Sequence, residues 1–359
     1  MSSKRWLAPW KDSAEKPAIY HCISRVVDRR LVFGPAERER FRAIMRMQEK
    51  FSGCRILSYC LMSNHIHLLL EVPPMPADGL SDAKLLERLS AIQTEAFVAV
   101  VSKELFDAHK AGNEALVAEI HARFTYRMHD LGEFMKTVLQ RFTRWFNRTH
   151  NRTGTLWEER FRSVIVESGI AARTVAAYID LNPVRAGMVS DPAEYRWSSY
   201  GEAVGGGPKG NGKKAREGLV RACMSHQGAG FEAEKWKEIS RVYRRAMGLA
   251  LGRKSGNATT ENTIKKGIVR PQLNTAEALE AKENGTVLPD LGMAGMLRCR
   301  VRYFSDGAVI GSKAFVNEAY AGAKERFSAK RRDGPRKLRG AASPAAGILW
   351  SARDLRLRV

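Results

Sequence analysis

The chain has 359 residues, and its 60 Lys and Arg against 38 Asp and Glu give a formal net charge of +22. The sequence contains no unbroken apolar run of about 18 residues, which argues against a membrane-spanning helix. Residues 1–10 show no apolar signal-peptide segment, so a cytoplasmic location without membrane association is expected. The basic excess favours a polyanionic partner, and nucleic acid is the usual one.

The predicted elements follow the order strand, helix, strand, strand, helix, strand, helix. They cover residues 19–26, 36–51, 55–62, 65–72, 131–149, 160–167 and 171–181. The third and fourth elements flank Ser63 and Asn64, which is the pattern of a β-hairpin. This order is typical of an α+β fold with a ferredoxin-like antiparallel sheet and packed helices.

Composition divides the chain at a Gly-rich stretch. We predict a first domain over residues 1–203, a linker over 204–214 and a basic C-terminal α/β appendage over 215–359. Residues 1–200 hold 29 basic and 23 acidic side chains, whereas residues 201–359 hold 31 and 15, so the appendage is expected to bind nucleic acid.

Finer features lie within each part. A helical insertion is predicted at about 77–130, within the first domain. In the appendage we predict a helix over 231–251, a strand pair around residues 305–307 with a helix from Lys313, and a mobile tail at about 329–345.

His65 and His67 are the sharpest local feature. Residues i and i+2 of a strand point to the same face, so both imidazoles are expected to project together, opposite Ile66. Two neutral histidines side by side form half of a metal site. An exposed pair of strand histidines without a ligand remains the alternative.

Tyr178 and Asn182 are four residues apart and share one face of the predicted helix. A tyrosine acts as a covalent nucleophile where a metal or a cation favours its phenolate. The amide oxygen of Asn182 is a candidate ligand for the same metal. The alternative for Tyr178 is an ordinary tyrosine of the core.

Five motifs occur in order along the chain. They are MSNHIH at 62–67, FTRWFN at 142–147, GTLWEERF at 154–161, YIDLNPVRAG at 178–187 and YRWSSY at 195–200. Over about residues 17–200 this series resembles the single-tyrosine HUH transposases. Among them it looks like the REP-associated tyrosine transposases, which are relatives of the smallest bacterial insertion-sequence transposases.

The resemblance implies a ferredoxin-like catalytic domain that cuts single-stranded DNA beside imperfect hairpins. By position, His65 and His67 take the metal-binding role, Tyr178 the nucleophile's role and Asn182 the role of the third ligand. Two nitrogens and one oxygen suit Mg²⁺ or Mn²⁺. The expected product is a 5′-phosphotyrosine with a free 3′-OH, and the expected partner is single-stranded hairpin DNA bound by a monomer or homodimer.

The chain departs from the compact members of this group in two places. The segment 77–130 is longer than the short connection expected there, and the C-terminal 150 or so residues have no counterpart. Neither departure affects the predicted catalytic residues. Both leave DNA specificity and oligomeric state open.

Basic and aromatic residues provide candidates for DNA contact. Those in the resembling part are Arg141, Arg144, Arg148, Trp157, Arg160, Arg162 and Arg185. In the appendage, Arg298, Arg300 and Arg302 alternate along a predicted strand. The alternative is that the aromatic residues belong to the core and that the arginines form solvated faces or ion pairs.

Two other functions remain open at this stage. One is a DNA-binding architectural or regulatory protein of the same fold that recognises repeated hairpins without cutting them. The other is an RNA-binding protein, since ferredoxin-like sheets commonly bind RNA through surface aromatic residues. No such aromatic string is present in the sequence.

Overall fold

A computed structural model describes residues 6–207, 210–224, 233–247, 304, 307–324, 336–337 and 349–353. Within them the strands are β1 (Ala18–Arg25), β2 (Arg55–Leu61), β3 (His65–Val72), β4 (Arg162–Val166), β5 (Gly307–Gly311), β6 (Arg336–Lys337) and β7 (Trp350–Arg353). The longer helices are α1 (Pro35–Ser52), α2 (Asp82–Ser90), α3 (Glu95–Lys110), α4 (Glu114–Thr125), α5 (Leu131–Thr149) and α6 (Ile170–Asp180). They are followed by α7 (Asn182–Arg185), α8 (Ser199–Gly205), α9 (Gly210–Cys223), α10 (Ala233–Ala246) and α11 (Lys313–Ala321).

The first four strands form an antiparallel sheet in the order β2-β3-β1-β4. With α1 after β1 and α5 before β4, this is the ferredoxin-like arrangement of two interleaved strand–helix–strand units. The predicted α+β fold class is therefore confirmed.

Alternating side chains of this sheet enter two cores on its opposite faces. Ile66, Leu68 and Leu70 of β3 pack in one core with residues of α1 and α5. On the other face Leu69 packs in a second core with residues of α6 and α9. Period-two alternation therefore assigns α6 to the face that also carries the odd-numbered residues of β3.

The turn at Ser63 and Asn64 joins β2 to β3, as predicted, and several contacts hold it. Arg38 of α1 donates from Nε to the Leu61 carbonyl at 3.2 Å and from Nη2 to Ser63 Oγ at 3.1 Å. The Tyr195 hydroxyl donates to the same Leu61 carbonyl at 2.6 Å. The YRWSSY motif thus anchors the β2–β3 hairpin at the turn that precedes His65.

The described part of the C-terminal region extends the same sheet. β5 pairs with β4 in parallel, and β7 and β6 follow it, giving the order β2-β3-β1-β4-β5-β7-β6. Glu167 accepts hydrogen bonds from the backbone N–H and the hydroxyl of Ser312, which also caps α11. The helix predicted from Lys313 is confirmed.

Two of the predicted boundaries can be compared with the observed helices and strands. α8 ends and α9 begins within the predicted linker 204–214, and α9 packs against β2. Of the predicted tail at 329–345 only Arg336 and Lys337 are described, as β6.

The insertion at 77–130 is helical, as predicted. α2, α3 and α4 enclose a small core of their own that includes Leu85, Leu105 and Ile120. Phe51 of α1 joins this core, so the insertion packs on the end of the ferredoxin-like unit.

Asp180, at the end of α6, is a fully buried carboxyl that links three elements. It accepts hydrogen bonds from the Tyr200 backbone N–H of α8 at 2.9 Å and from the Tyr243 hydroxyl of α10 at 2.7 Å. Burial raises its pKa to about 7 despite these donors. α10 is thereby tied to the helix that carries Tyr178.

Replacing Tyr243 by Phe should destabilise the fold by about 1–3 kcal/mol, because a buried carboxyl loses one of its donors. The measurement is the urea unfolding midpoint at pH 7. Tyr126→Phe is the matched control, since Tyr126 is 67% exposed, and it should shift the midpoint very little. Equal midpoints for both variants would show that the contact to Asp180 contributes nothing.

Candidate active site

His65 and His67 lie on the α6 face of β3, as their spacing predicts. Their ring centroids are 5.0 Å apart and their planes are nearly perpendicular. His67 is 3% exposed, and His65 is half-buried at the start of the strand. Both imidazoles therefore face the same side of the sheet at its hairpin end.

A third histidine that sequence reasoning missed belongs to this cluster. His21 of β1 is fully buried, and its Nε2 lies 3.0 Å from Nδ1 of His67. The two ring planes are inclined by only 22°, and their centroids are 5.2 Å apart. The available signal was weak, because His21 reaches His67 only through the pairing of two strands that are distant in sequence.

All three imidazoles are held in the neutral form. Burial lowers the pKa of His21 to about 4, and burial together with Arg25 lowers the pKa of His65 to about 4. The pKa of His67 lies well below its usual value because of burial, the two other histidines, Arg185 and Arg25. Neutral imidazoles keep a lone pair available, which is the state that a metal ligand requires.

Tyr178 projects from α6 toward the same cluster. Its ring centroid lies 5.9 Å from those of both His67 and His21. The side chain is 3% exposed, and Phe304 stacks on its ring with centroids 4.6 Å apart. The guanidinium carbon of Arg185 lies 5.1 Å from the centre of the Tyr178 ring. Tyr178 thus has both an aromatic ring and a cation as close neighbours.

Asn182 begins α7, one helical turn after Tyr178. Its Nδ2 donates to the Tyr178 carbonyl at 3.2 Å and to the Ile179 carbonyl at 3.3 Å. Since the amide nitrogen takes these two carbonyls, the amide oxygen retains its lone pairs for another donor or a cation.

This donor set fits a hard divalent cation only in part. In the part of the chain that is described, no three His, Cys, Asp or Glu side chains form a possible metal-ligand group. Two histidine nitrogens would need the Asn182 oxygen, with water and phosphate oxygens, to complete a coordination sphere. That composition suits Mn²⁺ or Mg²⁺, which keep waters and bind phosphate, better than a closed structural zinc site.

Three arginines lie around the histidines. Arg25 lies opposite His65 in the β1–β3 register, and Ile23 lies opposite both His67 and Arg162. Directly opposed residues of a sheet share a face, so Arg25 and Arg162 point to the α6 side. With Arg185 they form a cationic rim suited to phosphate, in which Arg162 also pairs with Glu159 at 3.4 Å. Arg162 and Arg185 were predicted from the sequence, and Arg25 was not.

The arginines of α5 are not brought to the histidines. The apolar side of α5 packs against the face of the sheet opposite to α6. Arg144 and Arg148 of α5 are exposed to solvent. Burial lowers the pKa of Arg141, and the positive charges of its neighbours Arg127, Arg144 and Arg40 lower it further. These residues form a separate basic surface whose role in DNA binding stays a prediction.

Trp157 lies in an aromatic cluster of the core. Its ring neighbours Phe33, Phe41 and Phe142, and its indole N–H donates to Thr143 Oγ1 at 3.0 Å. Trp157 is therefore partly buried against the core, and base stacking by its ring stays a prediction. Phe146 is buried in the same core.

The remaining candidates are Arg160 and the three arginines of the predicted C-terminal strand. Arg160 is exposed in the segment before β4. Arg298, Arg300 and Arg302 fall outside the described residues. No helix in the described ranges is long and apolar enough to cross a membrane.

The neutral histidines predict an acid-sensitive fold. A folded pKa of about 4 for His65 lies below the unfolded value of about 6.5, so the unfolded state binds more protons between these pH values. Stability is therefore complete above pH 6.5 and falls as the pH drops toward 4. In EDTA, wild type should lose about 2 kcal/mol more than His65→Gln between pH 6.5 and pH 5, measured by urea unfolding. Parallel losses in the two proteins would contradict the neutral buried state of His65.

Comparison with known proteins finds a match over the segment that contains these histidines. The family model described as "Transposase IS200 like" matches residues 15–78, which contain β1, α1, the hairpin and both histidines of β3. A solved structure described as a "REP associates tyrosine transposase bound to a REP hairpin" is 13% identical, with a TM-score of 0.36 over 59% of this chain and 90% of that chain. No curated protein matches the chain. The resemblance predicted from the motifs is confirmed over residues 15–78, which carry the sequence signature of the IS200-like transposases.

Proposed function

We propose that the chain is a transposase-type enzyme that cuts and rejoins single-stranded DNA beside hairpins, with Tyr178 as nucleophile. The observation that carries the proposal is the position of Tyr178, whose ring centroid is 5.9 Å from that of His67. His67 lies within the segment that matches the IS200-like transposase model. Nucleophile and metal-ligand candidates thus come from separate elements and meet on one face.

In the proposed reaction, His65, His67 and Asn182 would hold Mg²⁺ or Mn²⁺. The chemistry that such a cation would supply is Lewis-acid polarisation of the scissile phosphate. Arg25, Arg162 and Arg185 bind the phosphates that flank the scissile one.

The covalent step exchanges one phosphoester for another. The Tyr178 oxygen loses its proton and bonds to phosphorus, and the bond from phosphorus to the 3′ oxygen breaks. The leaving oxygen takes up a proton, so the products are a 5′-phosphotyrosine and a free 3′-OH. A second 3′-OH reverses the step and joins strands without ATP, because the phosphoester is conserved.

Stacking of Phe304 on Tyr178 favours one competing function. A tyrosine that is 3% exposed also suits a core residue of a non-cleaving protein that recognises repeated hairpin DNA. In the proposed enzyme, Phe304 has to move away from the Tyr178 ring when DNA binds.

The decisive experiment traps the covalent intermediate. Wild type should give a protein–DNA adduct on a denaturing gel with labelled single-stranded hairpin oligonucleotides and Mn²⁺, and no adduct in EDTA. Tyr178→Phe should give none because it lacks the attacking oxygen, whereas the control Tyr126→Phe should react like wild type. Tight binding of several hairpins without cleavage or adduct would favour the non-cleaving alternative.

The cationic rim predicts which arginines contact DNA. Arg25→Gln should weaken DNA binding and reduce the slope of log affinity against log salt by about 1, because one phosphate contact is lost. Arg144→Gln, on the α5 surface, is the matched control and should change the slope less. Fluorescence anisotropy at several salt concentrations measures both. A larger change of the slope for Arg144→Gln than for Arg25→Gln would indicate that DNA binds on the α5 face instead.

A further inference from the structure

His21 has an unusual environment for a buried polar side chain. It is fully buried, and both of its ring nitrogens have polar partners. Nδ1 lies 2.9 Å from the Phe304 carbonyl oxygen, and Nε2 lies 3.0 Å from His67 Nδ1. Leu69 lies directly opposite His21 on β3. A Leu or Phe at this place would fill the same space without any polar requirement.

The direction of this hydrogen-bonded chain follows from its end. A carbonyl oxygen only accepts, so His21 Nδ1 carries a hydrogen. A charged imidazolium at a fully buried position is costly, so His21 Nε2 carries none and accepts. His67 Nδ1 is therefore the donor of the 3.0 Å contact, and its proton is fixed on Nδ1. The lone pair of His67 is left on Nε2.

His65 reaches the same tautomer by a different route. The Asn64 side chain donates from Nδ2 to the Arg29 carbonyl at 3.0 Å, which fixes the orientation of its amide. Asn64 Oδ1 then lies 2.7 Å from His65 Nδ1, which must donate to it. Both histidines of β3 consequently keep their lone pairs on Nε2.

We propose that His21 is a positioning residue that fixes the tautomer and ring orientation of His67 for binding a divalent cation. The inference rests on the metal site of the proposed function and adds a residue to it. Metal-bound histidines generally donate their second N–H to an acceptor, and loss of that acceptor typically costs about 10–100-fold in metal affinity. His21 Nε2 supplies that acceptor for His67, as Asn64 Oδ1 does for His65.

Two substitutions separate this role from simple packing. His21→Leu fills the space with an apolar side chain but removes the acceptor, whereas His21→Gln offers an amide oxygen near the position of Nε2. Mn²⁺ titration of the DNA-free protein, followed by electron paramagnetic resonance, should show about 10–100-fold weaker binding for His21→Leu. His21→Gln should restore most of the affinity. His150→Leu is the control, because His150 is exposed and pairs with Glu37, and it should bind like wild type.

Nitrogen-15 NMR of histidine-labelled protein without metal gives the second readout. Wild type should show His67 protonated at Nδ1, and His21→Leu should lose that fixed tautomer. Normal Mn²⁺ binding and an unchanged His67 tautomer in folded His21→Leu would overturn the proposal. If wild type binds no Mn²⁺, the metal site of the proposed function fails, and an Nε2-protonated His67 in wild type would overturn the role of His21 separately. Should His21→Leu not fold, wild type and His21→Gln decide by the same two measurements.

Discussion

The antiparallel register between β1 and β3 is the constraint on which the candidate site depends. It sets Ile23 against His67 and Arg25 against His65, so one face collects two imidazoles and a guanidinium at the hairpin end. Because side chains alternate along a strand, a slip of one residue would send His65 and His67 into the α1–α5 core. Ile66 and Leu68, which alternate with the two histidines along β3, prevent that slip by their own burial.

Tyr178 depends on a second layer that is built independently of the hairpin. α6 packs on the sheet through Val175 and Ile179, and Asp180 ties its end to α8 and α10. The hairpin is in turn held by Arg38 and by the motif at 195–200. Both groups of candidate residues are therefore carried by packed elements, which favours a preorganised geometry over one assembled from mobile loops.

Local periodicity made part of the candidate site predictable from the sequence. The i, i+2 spacing of a strand brought His65 and His67 to one face, and the four-residue spacing of a helix related Tyr178 to Asn182. His21 lies 46 residues before His67, and only tertiary strand pairing relates them, so its role was missed. The arginine stripe of α5 was visible, but not the face of the sheet against which α5 packs. Likewise, no local pattern indicates that β5 would join the edge at β4.

The central claim is that the histidines of β3 and the tyrosine of α6 form one metal-dependent site. Anomalous diffraction from crystals grown with Mn²⁺ tests it most directly, because it locates the ion without reference to activity. The account predicts one strong peak bonded to Nε2 of His65 and Nε2 of His67, with the Asn182 amide oxygen as a third protein ligand beside Tyr178. A peak elsewhere on the chain, or binding through the Nδ1 atoms, would contradict it.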